Sequence, residues 1–460
     1  MKTKLLYTLS LAVLIFTGCE KLEKRHADIY TPVVTPSNPV SDTAPLSGNI
    51  KGTMLSGKTY TINGDVIVQK GDTLILQPGV RVNVTNGAGI LVYGTFASLG
   101  THESPNWLTV DGVVRTDAVN ANPNTDPAFK GLWRGINGST DCNMIVLKWT
   151  HVEFGGGAAG ATIGAALGIA NNKNTYNIYF QNPAGTLIVE DSWFYGSVDD
   201  PIRVTGGKIA ILRNTFEKGG LTGGEAFSCK GGTIGNVAYN LCVGMCTNAI
   251  KISNTGGTNI QTNVRVYNNT IINCGWRRAQ VGRGGSVNFE EGAAGKFYNN
   301  LMVNCKYGPR VVTSPPADTT NLDYGNNFNY GDSLVVTNQF YPPTYITKPK
   351  TSDIPKPNTF LPATYKLGDV YDGTALVGKN NPKFINGPAP LPAGATLKGI
   401  AVAGTYNFGL STGSPCIAAG YTGFAPTGNI PIAANYGITE LTPPGRDIGA
   451  FQTDGTGNRH

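Results

Sequence analysis

The sequence predicts an all-β chain built of stacked coils, and three observations carry that prediction. First, a tyrosine followed by asparagine, with a cysteine seven positions after the tyrosine, recurs as Tyr239-Asn240 with Cys246, Tyr267-Asn268 with Cys274 and Tyr298-Asn299 with Cys305. The spacings are 28 and 31 residues. A unit of that size, returning inside short apolar runs, means coil laid on coil with like residues over like. Second, apolar and polar residues alternate with period two between glycine-bearing turns, as in Asp65-Val66-Ile67-Val68 and Thr73-Leu74-Ile75-Leu76, the signature of short half-buried strands. Third, 61 glycines and 28 prolines in 460 residues, with few helix-forming runs, suit many strands joined by turns.

Residues 1–18 read as an export signal. Lys2 and Lys4 precede an almost wholly apolar run over residues 5–16, which is too short to span a bilayer. Phe16-Thr17-Gly18-Cys19 resembles the bacterial lipobox, with Phe16 where leucine is usual. That resemblance implies cleavage before Cys19 and lipidation of Cys19; a plain secretory signal is the alternative. Residues 19–47 open with the charged run Glu20-Lys21-Leu22-Glu23-Lys24-Arg25 and continue rich in Thr, Pro, Ser and Val, as a flexible tether does. Acidic residues just after the lipid cysteine resemble the surface-export signals of Bacteroidota lipoproteins.

Coils are expected over residues 48–330. Rungs fall at residues 65–80, 89–94, 107–110, 144–154, 186–194, 208–216, 235–241, 264–271 and 296–302. Aligned on Asp191, Asn214, Asn240, Asn268 and Asn299, they step by 23, 26, 28 and 31 residues, lengths that suit three strands per coil. Asparagines stacked at one turn can form a ladder, because each amide both donates and accepts. Residues 331–405, with Pro342, Pro343, Pro349, Pro355, Pro357 and Pro362, fit an irregular excursion along the side. Residues 406–452 are expected to return as a last coil or cap protecting the open end, with 453–460 a tail.

Several segments resemble the right-handed parallel β-helix proteins of Bacteroidota, a pectate-lyase-like fold. "GDVIVQKGDTLILQPGVRV" is similar to their entry coils, "KGLWRGI" and "LKWTHVEFGGG" to later rungs, and "GSPCIAAG" with "RDIGAFQ" to their closing segment. The resemblance covers roughly residues 48–452. It implies a right-handed single-stranded parallel β-helix and leaves activity open, because members include polysaccharide lyases, glycosidases and binding proteins. Outer faces are expected to be polar or covered by loops such as residues 155–183, since parallel sheets are normally covered on both sides.

A formal charge of +7, two of it on Lys2 and Lys4, is mild and spread out. It argues against a nucleic-acid partner and suits an acidic polysaccharide. With Cys19 lipidated, seven cysteines remain of the eight, and their repeat position favours reduced, buried packing over a disulfide ladder. No Cys/His pair has metal-ligand spacing, so a zinc site is not expected.

Chemistry is expected on the strand after each asparagine turn. With Ile202, Phe227, Ile250, Val287 and Val311 inward, alternation turns Arg203, Ser228, Lys251 and Asn288 outward in one column. Lys230, Ser253 and Glu290 form a neighbouring column, with Arg310 on the flank. The loop 275–285 adds Trp276, Arg277, Arg278 and Arg283, and Asp199-Asp200 stand upstream. Cations, carboxylates and an aromatic make an oligosaccharide platform, because arginine forks grip uronate carboxylates; a solvated face with compensating charges is the bland alternative. Lys251, Trp276, Arg277, Arg278, Arg283, Asn288 and Glu290 are thus candidate substrate-binding residues.

Glu225-Ala226-Phe227-Ser228-Cys229-Lys230 resembles the Glu-x-x-Ser-x-Lys stretch of β-helical alginate and chondroitin lyases. That implies Lys230 as base and Glu225 as a calcium ligand; a lyase also needs cations to neutralise the uronate carboxylate, and Arg203 and Arg310 of the face are the catalytic candidates for that. Gly231 departs from the family's serine, and its following asparagine–arginine pattern is missing. Asp199-Asp200 is similar to the aspartate pair of polygalacturonase-type hydrolases, but without their Gly-His-Gly and Arg-x-Lys companions it reads first as a turn feature. The expected function is polysaccharide binding by a lipid-anchored, cell-surface-exposed outer-membrane protein, alongside outer-membrane glycan importer components. A uronate-directed lyase with Ca2+, or an envelope scaffold or adhesin, are the alternatives.

Overall fold

A computed structural model describes residues 38–116, 118–256, 259–342, 349–399, 405–428, 430 and 436–460. The expected signal, the expected lipidation site Cys19 and most of the expected tether lie outside the described residues. The chain is a single-stranded parallel β-helix. Among the described residues, a first sheet of ten strands runs from Gly52–Met54 to Leu322–Gly325. A 19-stranded sheet makes the other two faces, joined through one long bent strand, Thr59–Val68. The second face carries strands such as Thr150–Gly155, Trp193–Ser197 and Thr215–Gly219; the third carries Ile202–Val204, Phe227–Cys229, Asn248–Ser253, Gly285–Glu290 and Arg310–Val311.

The interior is apolar because each strand turns alternate residues inward. Ile202 pairs with Phe227, Phe227 with Ile250 and Ile250 with Val287, and all four are 1% exposed or less. Phe194 stacks on Phe216 at 4.9 Å. Burial of each such side chain is worth about 1.5–3 kcal/mol. All seven described cysteines are free and buried.

The asparagine ladder exists, but its register differs from the expected one. Asn214 N–H donates to Asn240 Oδ1 (3.0 Å), Asn240 N–H to Asn269 Oδ1 (3.0 Å), Asn269 N–H to Asn300 Oδ1 (3.2 Å) and Asn300 N–H to Asn327 Oδ1 (3.2 Å). Asn268 and Asn299 stand one residue earlier, in the left-handed turn column with Arg213, Tyr239 and Asn326 (φ between 51° and 60°). Asparagine tolerates that conformation because its short side chain bonds locally. The strand register agrees: Tyr267 pairs with Ala238, not with Tyr239. The cysteines slip likewise. Met245 N–H donates to Cys274 Sγ at 3.4 Å, whereas Cys246 Sγ points to Leu221 O at 3.7 Å.

The excursion packs along the side as expected, with Ala389 and Leu391 against the cluster of Leu241, Val243 and Ile272 and Thr396 N–H donating to Asn120 Oδ1, but it also takes over capping expected of residues 406–452. The proline-rich excursion reaches the open end: Asn327 N–H donates to Asp353 Oδ1 at 3.0 Å, making Asp353 the next ladder rung, and Phe328 bridges to Ile354. Residues 405–428 and 436–460 instead strap the outside. Asn268, Asn299 and Asn326 donate outward to Asp447, Tyr421 and Ala419 carbonyls at 2.7–3.1 Å. Farther along, Lys148 Nζ donates to Gly437 O at 2.5 Å, Thr439 N–H to Glu190 at 3.0 Å and Arg213 to Thr442 Oγ1 at 2.9 Å. The segment 453–460 is packed as well, with Asn458 Nδ2 donating to the Asn214 and Tyr239 carbonyls. Residues 155–183 cover the third sheet's upstream end, where Ile163 and Leu167 of helix Gly160–Leu167 pack on Leu91 and Tyr179.

Candidate functional site

The third sheet presents the expected outward column. Arg203 pairs with Ser228, Ser228 with Lys251, Lys251 with Asn288 and Asn288 with Arg310. Arg310 therefore continues the column rather than flanking it. Four strand spacings make the column about 19 Å long. Ser253 pairs with Glu290 beside it.

These groups form one electrostatic network. Arg203 binds Asp200 at 2.5 Å and lies over the Tyr176 ring at 4.8 Å. Asp200 Oδ1 also accepts the Glu225 N–H at 2.7 Å. Lys251 pairs with Glu290 at 2.8 Å, and Asn288 Nδ2 donates to the same carboxylate at 2.8 Å. Arg310 is buried, with its guanidinium 5.8 Å from the Tyr307 ring centre.

Burial and the neighbouring Asp200 raise Asp199 to about 7, with Arg203 opposing them. Burial, then Asp200, pushes Glu225 well above the carboxylate range against Lys251 and Arg203. Burial, then Lys251 and Arg203, draws Lys230 below a normal lysine. Five buried polar atoms here have no hydrogen-bond partner in the protein: Ser228 Oγ, Thr247 Oγ1, Asn248 Oδ1, Ser286 Oγ and Asn288 Oδ1. Such atoms require water or ligand hydroxyls to avoid a desolvation cost.

The loop residues divide. Trp276 donates its Nε1–H to Asn304 O at 2.6 Å and packs into the cluster of Phe340, Tyr341 and Tyr371. Arg277 donates to the Gly219, Gly220 and Gly244 carbonyls at 2.8 Å and lies over Phe129. Both are committed to holding the turn. Arg278 donates to Thr222 O at 2.7 Å, with its Nη1 near the site across Gly223 from Asp199, and Arg283 is exposed. Calcium does not fit around Glu225, because Asp200 is held by Arg203 and the Glu225 N–H. Among the described residues no three His, Cys, Asp or Glu side chains converge on one point.

A second cluster went unanticipated. On the second face Arg81, Trp107, His151, Trp193 and Thr215 align across successive strands. Trp107 and His151 stack at 3.7 Å and 3°, and His151 lies 5.6 Å from Trp193. Arg115 sits 4.7–5.8 Å from the rings of Trp107, Trp193 and Tyr195, and its guanidinium binds Glu153 at 2.6 Å. Register alone would have found this column, because Trp107, His151 and Trp193 occupy equivalent places in three expected rungs.

No protein-family model matches this chain, and no curated protein does.

Proposed function

We propose that the third-sheet face binds an acidic polysaccharide, on a protein held by a lipid at Cys19 to the outer membrane and exposed at the cell surface. The observation that supports this most directly is the column Arg203–Ser228–Lys251–Asn288–Arg310 with five unpartnered buried polar atoms around it. Regularly spaced cations suit uronate carboxylates, and the unsatisfied amides and hydroxyls suit sugar hydroxyls. A lipid-anchored protein of this kind would hand glycan to an outer-membrane importer. Affinity electrophoresis in alginate, pectate and glycosaminoglycan gels tests the reading. Retardation by at least one of them, lost in Lys251→Ala, is expected; free migration in all of them would sink it.

A lyase is the second reading, favoured by Lys230, whose proton is loosened by burial beside Lys251 and Arg203. Elimination would move the C5 proton to Lys230, break the C4–O bond and return a proton to the leaving oxygen. Steady growth of unsaturated-uronate absorbance, abolished by Lys230→Ala, would establish it over binding alone.

A further inference from the structure

The aromatic cluster of the second face borders a cavity of about 240 Å³, lined by His102, Trp149, His151, Trp193, Arg459 and His460 among others. That is below the roughly 300 Å³ at which drug-sized pockets begin, so it accommodates one ring rather than a chain. Rings form its walls: His102 and Trp149 meet edge to face at 5.0 Å, while His460 lies 5.5 Å from Trp149 and 5.8 Å from Trp193. Both ring nitrogens of His460 and Nε of Arg459 are buried without a hydrogen-bond partner in the protein. The cavity therefore joins flat aromatic surface to polar atoms that need a ligand's donors and acceptors.

Apart from the Arg459 guanidinium, its charges are held by partners. Asp191 is held by Arg213 at 2.8 Å, and Arg115, behind the aromatic wall, is held by Glu153 at 2.6 Å. Burial, followed by Arg115 and His460, keeps His151 neutral down to about 3, and burial keeps His460 neutral down to about 4. A neutral imidazole both donates and accepts, which matches a hydroxyl better than a carboxylate.

We infer that this cavity is a binding site for a single uncharged pyranose ring, separate from the charged third-sheet face. The C–H face of the ring would lie on Trp193 or Trp149, with its hydroxyls on His460 and Arg459. The site needs no uronate, so it stands or falls independently of the acidic-polysaccharide reading.

The test uses the full chain with methyl hexopyranosides and neutral oligosaccharides, followed by tryptophan fluorescence and saturation-transfer NMR. At least one neutral sugar is expected to bind with transfer to its ring protons. Affinity should fall 10-fold or more in Trp193→Ala and His460→Ala, and stay unchanged in Lys251→Ala. Trp193→Phe, which keeps a ring, should retain part of the affinity and guards against misfolding of the alanine variant. Absence of binding by every neutral sugar, binding indifferent to both His460→Ala and Trp193→Phe, or stronger binding of a monomeric uronate through Trp193 would each overturn the assignment.

Discussion

Two faces of one coil solve the same packing problem with opposite chemistry. The third sheet stacks Arg203, Lys251, Asn288 and Arg310, and compensates them with Asp200 and Glu290. The second stacks Trp107, His151 and Trp193 and keeps His151 neutral. Strand spacing is common to both, so the fold fixes the pitch of each column and the side chains alone decide what it attracts. On the proposed readings, the charged column takes carboxylates at intervals and the aromatic one takes a ring.

The largest expected effect comes from breaking the charged side internally. Asp200→Ala leaves Arg203 and the Glu225 N–H without their partner, and should cost about 3–5 kcal/mol in denaturant unfolding, the usual result of orphaning a buried charge. A loss under about 1 kcal/mol would mean that the network relaxes at little cost.

Acid titration should separate the faces by sign. Asp199 is raised from 3.8 to about 7, so the folded state holds its proton longer, and stability falls as pH rises from about 4 to 7. His151 is lowered from 6.5 to about 3 and His460 from 6.5 to about 4. There the unfolded state takes protons first, and stability rises with pH until about 6.5. Denaturant curves at several pH values should show Asp199→Asn reducing the falling component, and His151→Gln the rising one. Equal slopes in the two variants would erase the contrast.

Binding effects come next. Arg203→Ala and Lys251→Ala should each weaken an acidic glycan by about 10- to 100-fold, the range of a charge-assisted hydrogen bond, and leave neutral sugars untouched. The smallest effect is expected for Arg81→Met. Removing an exposed guanidinium 5.6 Å from the Trp107 ring centre should cost under about 1 kcal/mol while changing the tryptophan emission.

Inward and outward positions on the third sheet were legible in the sequence, because alternation over Ile202-Arg203-Val204 and its equivalents admits one assignment. The ladder register was not. Asn240 and Asn268 both follow tyrosine, yet the coil between them holds one extra residue, so one bonds within the ladder and the other reaches outward to the strap. Identical side chains at adjacent positions carry no mark of which task they perform. The aromatic cavity was half visible. Its column could be read from rungs, but Arg459 and His460 close it from more than 250 positions away (Trp193 to His460), beyond the reach of local pattern. The capping contact of Asp353 was missed for a similar reason: proline content marks irregularity without saying where every part of an irregular segment lies.

The strap sets a timetable. Coils built from neighbouring stretches can close as soon as each stretch emerges from synthesis or from an export channel. Lys148, Glu190 and Arg213 cannot complete their shell until residues 437–442 arrive, nearly 300 positions after Lys148. Until then three polar groups stand open to water along an otherwise finished wall. The wall at Lys148, Glu190 and Arg213 is thus sealed by a stretch made long after the coils it covers.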